Sequence, residues 1–133
     1  MSSPSPNRPS LLGIRHVALF VRDLESAERF WVDVMGYEVE WRPDTDNVYL
    51  HGGRDNLALH RAQDGAPTGA GMLDHIGIAV AAASDVDAWA GHLESHGVAL
   101  KARPKTHRDG SRSLYFEAPS ALVVQIIHHT PMI

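Results

Sequence analysis

Nine histidines and no cysteine in 133 residues make imidazole, not thiolate, the group through which this chain could hold a metal. Three of them stand in short strand-like runs: His16 in Ile14–Val21, His60 in Asn56–Ala62 and His75 in Leu73–Val80. Gln125 stands in a fourth, Ala121–His128. Alternate side chains of a strand share a face. His16 therefore goes with Ala18 and Phe20, away from Val17, Leu19 and Val21. His75 goes with Gly77 and Ala79, His60 with Asn56 and Ala58, and Gln125 with Ala121 and Val123. In each run the bulky aliphatics point one way. The His or Gln points the other, mostly among small residues that leave room for a ligand. Imidazole nitrogen and amide oxygen both donate to divalent ions, and an open centre uses three or four such donors plus water.

The elements that must carry these residues come twice. After the first strand, Leu24, Ala27, Phe30, Trp31, Val34 and Met35 recur at helical spacing, predicting an amphipathic helix over Leu24–Met35 that Gly36 ends. Tyr37–Trp41, Asn47–His51 and Asn56–Ala62 read as strands, with turns at Pro43-Asp44 and Gly52-Gly53. Gln63–Met72 has no periodicity and reads as a linker. The pattern then restarts: strand Leu73–Val80, a helix opened by Ser84 and Asp87 with Val86, Trp89, Ala90 and Leu93 as its stripe, and Gly97 as the stop. Val98–Ala102, Arg112–Glu117 and Ala121–His128 supply three more strands. His16 to Gly36 spans 20 residues and His75 to Gly97 spans 22; Tyr49 to His60 spans 11 and Tyr115 to Gln125 spans 10. The expected fold is thus α+β: two tandem βαβββ modules whose sheets form a cupped, partly closed barrel with helices outside. The modules run over 13–62 and 73–133 as one compact domain, after a disordered tail at 1–12 that is rich in Ser and Pro.

Composition narrows the partners. A hydrophobic fraction of 44% and a charged fraction of 21% fit a globular chain. The net charge of −4 offers no basic surface to nucleic acid. No run approaches the roughly 20 apolar residues of a membrane helix, and Met1–Ser10 lacks the pattern of a secretory signal. The expectation is a soluble, cytoplasmic protein.

Several segments together resemble the vicinal oxygen chelate superfamily, which includes glyoxalase, extradiol dioxygenases, fosfomycin-resistance enzymes, methylmalonyl-CoA epimerase and bleomycin resistance proteins. The residues that carry the likeness are GIRHVALFVRDLESAERFWVDVMGYEVE at Gly13–Glu40, NLALH at Asn56–His60, LDHIGIAV at Leu73–Val80 and LYFEAPSALVVQI at Leu114–Ile126. The resemblance implies a divalent metal ion (Fe, Mn, Zn or Ni) on the first and fourth strands of each module, at His16, His60, His75 and Gln125. It further implies a small-molecule substrate with adjacent oxygens, and a homodimer in which one chain's His16 and His60 meet the other's His75 and Gln125. Gln125 departs from the family's usual glutamate. A neutral amide cannot serve as a carboxylate base, nor complete the two-His, one-carboxylate triad of ferrous oxygenases.

THRDGSRSLYFEAPSALVVQ is similar to the extradiol dioxygenase signature, which implies acid/base and hydrogen-bond roles for His107 and Tyr115. The expected function is therefore a metal-dependent enzyme with a lean to extradiol-type ring cleavage. The alternatives are a glyoxalase-like lyase or isomerase, and a non-catalytic drug- or metabolite-binding cup using Trp31, Trp41 or Tyr49. Other signals read as structural. His92 and His96 lack the adjacent glutamate of a zinc protease helix and belong to the surface. Gly65, Gly69 and Gly71 mark the linker, and His51, His128 and His129 fall at strand ends. Asp23, Glu25 and Glu28 open a helix, where acidic groups favour the positive dipole end.

Overall fold

The computed structural model describes residues 9, 12, 14–65 and 73–129. The expected tail at 1–12 and linker at 63–72 lie outside these residues, apart from Pro9, Leu12 and Gln63–Gly65. The chain runs β1 (His16–Val21), α1 (Leu24–Arg29), a π turn (Phe30–Val34), β2 (Glu38–Asp44), β3 (Asn47–His51) and β4 (Asn56–Arg61). It then repeats as β5 (Ile76–Ala79), α2 (Ala83–Ser95), β6 (Leu100–Thr106), β7 (Arg112–Ala118), a 3-10 turn (Pro119–Ala121) and β8 (Leu122–His128). Two four-stranded sheets result, ordered β1-β4-β3-β2 and β5-β8-β7-β6. In each the first strand pairs parallel to the fourth and the other pairs are antiparallel. The sheets are cupped, and among the described residues no strand pairing closes them into a barrel.

The alternation expected in the strands is met. Val21, Leu57, Leu59, Leu122, Val124 and Ile126 are buried, while His16, Ala18 and Phe20 face outward. The core is continuous across both modules. Trp31 of the first helical segment packs edge-on against Tyr37 at 5.0 Å between centroids, and Phe30 reaches Phe116 of the second module at 6.1 Å. His92 of α2 donates from Nε2 to the Val34 carbonyl at 2.7 Å, so one module caps the other's helix end.

Four boundaries differ from the sequence reading, each for a local reason. The first helix does not stay α to Met35. After Arg29 it widens into a π turn whose Met35 amide bonds the Phe30 carbonyl at 3.2 Å, and both adjacent aromatics, Phe30 and Trp31, find packing partners. α2 starts at Ala83 rather than Ser84, because the Asp85 carboxylate reaches back to the Ala82 amide at 2.9 Å. Asp87 is then free to pair with Arg112 at 2.7 Å. β2 runs through Pro43 and β6 through Pro104. Both are edge strands, where a missing N–H costs no ladder bond.

Candidate metal centre

The cup face of each sheet can be read rung by rung from the register. In the second module Gly77 lies opposite Gln125, and Gln125 opposite Tyr115. In the first module Ala18 lies opposite Ala58, and Ala58 opposite Tyr49. Ala58 is therefore the counterpart of Gln125. His60 sits two residues further along, opposite Phe20 and Asn47. The match of His60 to Gln125 expected from the spacing is corrected by one pleat, because the turns before β4 and β8 differ in length. His16 lies opposite Asn56, and His75 just precedes β5 on the face of Gly77. His16 and His75 thus occupy corresponding levels of the two cups, Gln125 lies one pleat further along, and His60 lies two pleats beyond the level of His16.

Each of the three histidines is held through Nδ1. His16 Nδ1 is 2.6 Å from Asn56 Oδ1, and Asn56 Nδ2 donates to the Glu40 carboxylate at 2.5 Å. His60 Nδ1 is 2.6 Å from Asn47 Oδ1, and Asn47 Nδ2 donates to both Asp44 oxygens at 2.8 and 3.1 Å. His75 Nδ1 meets the Asp74 carboxylate directly at 2.6 Å. A carboxylate only accepts, so each asparagine must turn its amide nitrogen to the acid and its oxygen to the ring. The proton of every ring is then on Nδ1, and Nε2 carries the lone pair. Among the described residues no partner takes any of these Nε2 atoms. Anchoring one nitrogen on a carboxylate, directly or through an amide, is how proteins aim the other at a metal. These anchors, Glu40, Asp44, Asn47, Asn56 and Asp74, were not picked out from sequence. Asn56 sharing a strand face with His60 was the one legible sign.

Gln125 is buried, and its Nε2 donates to the Tyr115 hydroxyl at 3.0 Å. Its Oε1 lies over Gly77, where an added Cβ would come within 3.4 Å, so glycine leaves that oxygen its space. The Tyr115 ring meets His75 edge-on at 5.2 Å. Tyr115, His75 and Gln125 thus form one cluster. His107 is half-buried and bonds Ser113 Oγ at 2.7 Å, one pleat from Tyr115 on the same side of β7. Its turn is fixed by Asp109, whose carboxylate takes the Ser111 amide and hydroxyl at 2.9 and 2.6 Å and is held below its ordinary range by those bonds.

On the wall of the first cup Trp41 stacks on Tyr49 at 5.1 Å, and His60 lies 5.9 Å from both Tyr49 and Phe20. Trp31, by contrast, is 1% exposed and belongs to the core, which removes it from the ligand-binding residues expected from sequence. His92, His96 and His129 are exposed, as the sequence reading expects of surface residues. Glu25 pairs with Arg61, and Glu28 with Arg42 at 2.6 Å. Outside the cup, burial and the neighbouring Asp55 carboxylate push the Tyr37 hydroxyl above its ordinary range.

The donors suit a divalent ion: two or three neutral imidazoles with open Nε2 atoms and one amide oxygen. Among the described residues no group of three or more His, Asp or Glu lies close enough to hold an ion. The glyoxalase/bleomycin resistance protein/dioxygenase superfamily model matches residues 13–126. The chain belongs to that superfamily. No curated protein matches it in sequence. Among solved structures it is similar to lactoylglutathione lyase from Agrobacterium tumefaciens, at 23% identity over 90% of this chain and 96% of that one, with a TM-score of 0.74. An integron cassette protein from the Halifax Harbour sewage outfall metagenome aligns at 22% identity over 90% and 100%, with a TM-score of 0.75. The fosfomycin resistance protein FosX from Listeria monocytogenes aligns at 17% over 91% and 96%, with a TM-score of 0.73. At these identities the likeness is one of fold. Superfamily membership supports a small-molecule function and leaves the reaction to be argued from the site.

Proposed function

We propose that this protein is a divalent-metal-dependent enzyme acting on a small molecule with adjacent oxygens, its centre made by His16 of one copy and His75 and Gln125 of a second. The observation that carries the reading is the shared state of the donors: His16 and His75 each have Nδ1 tied down and Nε2 open, and Gln125 donates from its amide nitrogen to Tyr115, leaving Oε1 to accept. A bound divalent ion would supply Lewis-acid polarisation of two substrate oxygens. All three donors are neutral, so the charge of the ion is not offset, which favours an anionic substrate. Tyr115 places a hydroxyl beside His75 and Gln125, and His107 lies one pleat away. With the sequence likeness of that segment, this leans the reaction toward extradiol-type ring cleavage over a glyoxalase-like lyase or isomerase.

Metal content by mass spectrometry, on protein purified without chelator, tests this reading. Near one ion per chain is expected, with none in a His16→Ala, His75→Ala double variant. Oxygen uptake by the iron-loaded protein with a panel of catechols then supports ring cleavage, and its absence moves the reaction to lyase or isomerase substrates. The exposed aromatics, Phe20 at 61% and Trp41 at 59%, favour a second reading, a drug- or metabolite-binding cup without metal. That reading gains if aromatic ligands bind the double variant as well as the wild type.

A further inference from the structure

We infer that His60 is a free proton acceptor for the substrate rather than a metal ligand. This rests on the proposed metal centre and gives it a proton acceptor on the first module, distinct from Tyr115 and His107 of the second. Register separates His60 from His16 by two pleats. His16 lies opposite Asn56 and His60 opposite Phe20, four residues further along β1. At about 3.3 Å per residue their Cα atoms are roughly 13 Å apart along the strands. Neither ring can lean across that distance. Each is pinned through Nδ1 to a partner beside it, His60 to Asn47 and His16 to Asn56. A nitrogen–metal bond of about 2.1 Å cannot bring both Nε2 atoms to one ion from those positions. Between them stands Ala58, buried, where the second module has Gln125.

The polar groups around His60 already have partners. Gln125 is an amide and takes no proton at neutral pH. Tyr115 accepts a hydrogen bond from Gln125, and Glu40 is held by Asn56. Beside the two proposed imidazole ligands, His60 has both an open Nε2 and a route for stabilising the charge it would gain. Its Nδ1–H is already donated to Asn47, and Asp44 lies behind Asn47. In the step assigned here, a substrate O–H or C–H bond breaks, its proton goes to His60 Nε2, and the electron pair stays on the substrate. The resulting imidazolium keeps its bond to Asn47 Oδ1, and the proton later returns to product or water. Phe20 and Tyr49 flank the ring, each at 5.9 Å between centroids.

The test uses the zinc-loaded full-length protein and 4-nitrocatechol, a probe with adjacent oxygens whose visible spectrum changes when it loses a proton. His60→Gln should keep the wild-type metal content and still bind the probe. The pH at which the bound probe ionises should rise by at least about one unit, a tenfold loss of proton affinity at the acceptor. Asn47→Ala should shift it in the same direction by less. Loss of metal in His60→Gln would make His60 a ligand and overturn the inference. Wild-type metal content with unchanged probe ionisation would make it a wall residue, overturning it equally. A wild type that takes up no metal fails the underlying reading, and this one with it.

Discussion

A histidine's usefulness as a ligand depends on which nitrogen holds its proton, and that is decided by the residue at its back. His16 owes its open Nε2 to Asn56, and Asn56 owes its orientation to Glu40. Asn56→Ala should therefore weaken zinc binding by about 10–100-fold while leaving all three ligands in place. Competition with a chromophoric chelator would read this directly, and an unchanged affinity would show that the relay does not orient the ring. Such anchors were hard to see in the sequence because their logic is not periodic. Glu40 is 16 residues from Asn56, and Asn47 is 13 from His60. The strand faces were legible from the spacing of Val, Leu and Ile. The level of His60 along its strand was not, since spacing from Tyr49 counts the residues of a turn without showing how many of them pair.

Among the elements, the βαβββ repeat was legible because helix and strand periods contrast sharply, and glycines close both helices. Edge strands were underread. Pro43 and Pro104 punctuate a sequence strongly, yet on an edge the chain runs through them. The connection into β8 carries a strain that the sequence only hinted at. Ala121 has φ +62° and Ser120 φ +67°, the left-handed region that glycine enters without cost. Ala121→Gly should stabilise the fold by about 0.5–1 kcal/mol, the relief of the Cβ clash less the extra entropy glycine loses on folding. A Tm raised by a few degrees is the expected result, and a lowered one would mean that the Ala121 methyl packs usefully in this turn.

For the whole molecule, the arrangement of half-sites is the consequential feature. Each chain holds an imidazole-bearing cup in both modules, but the described residues of one chain bring no three acidic or imidazole groups together. Phe20 and Trp41 on the cup face of the first sheet are exposed in the isolated chain. A symmetric pair would set one chain's first cup against the other's second, covering that face and building two centres at once. The sequence could raise this arrangement by resemblance but could not decide it. Whether two modules of one chain face each other depends on how they pack, and here they pack through Phe30, Phe116 and the His92–Val34 bond.

The central claim, a metal centre shared between two copies through His16, His75 and Gln125, is tested most directly by mixing two defective chains. His16→Ala and His75→Ala homodimers each lack a ligand at both centres. A heterodimer joins the intact His16 of one to the intact His75 and Gln125 of the other, restoring one centre of its two. After co-refolding in equal amounts, the account predicts no metal in either variant alone and about one ion per four chains in the mixture, since half of randomly formed dimers are mixed. Metal retained by either variant alone, or none regained on mixing while the wild type refolds with its ion, would contradict it.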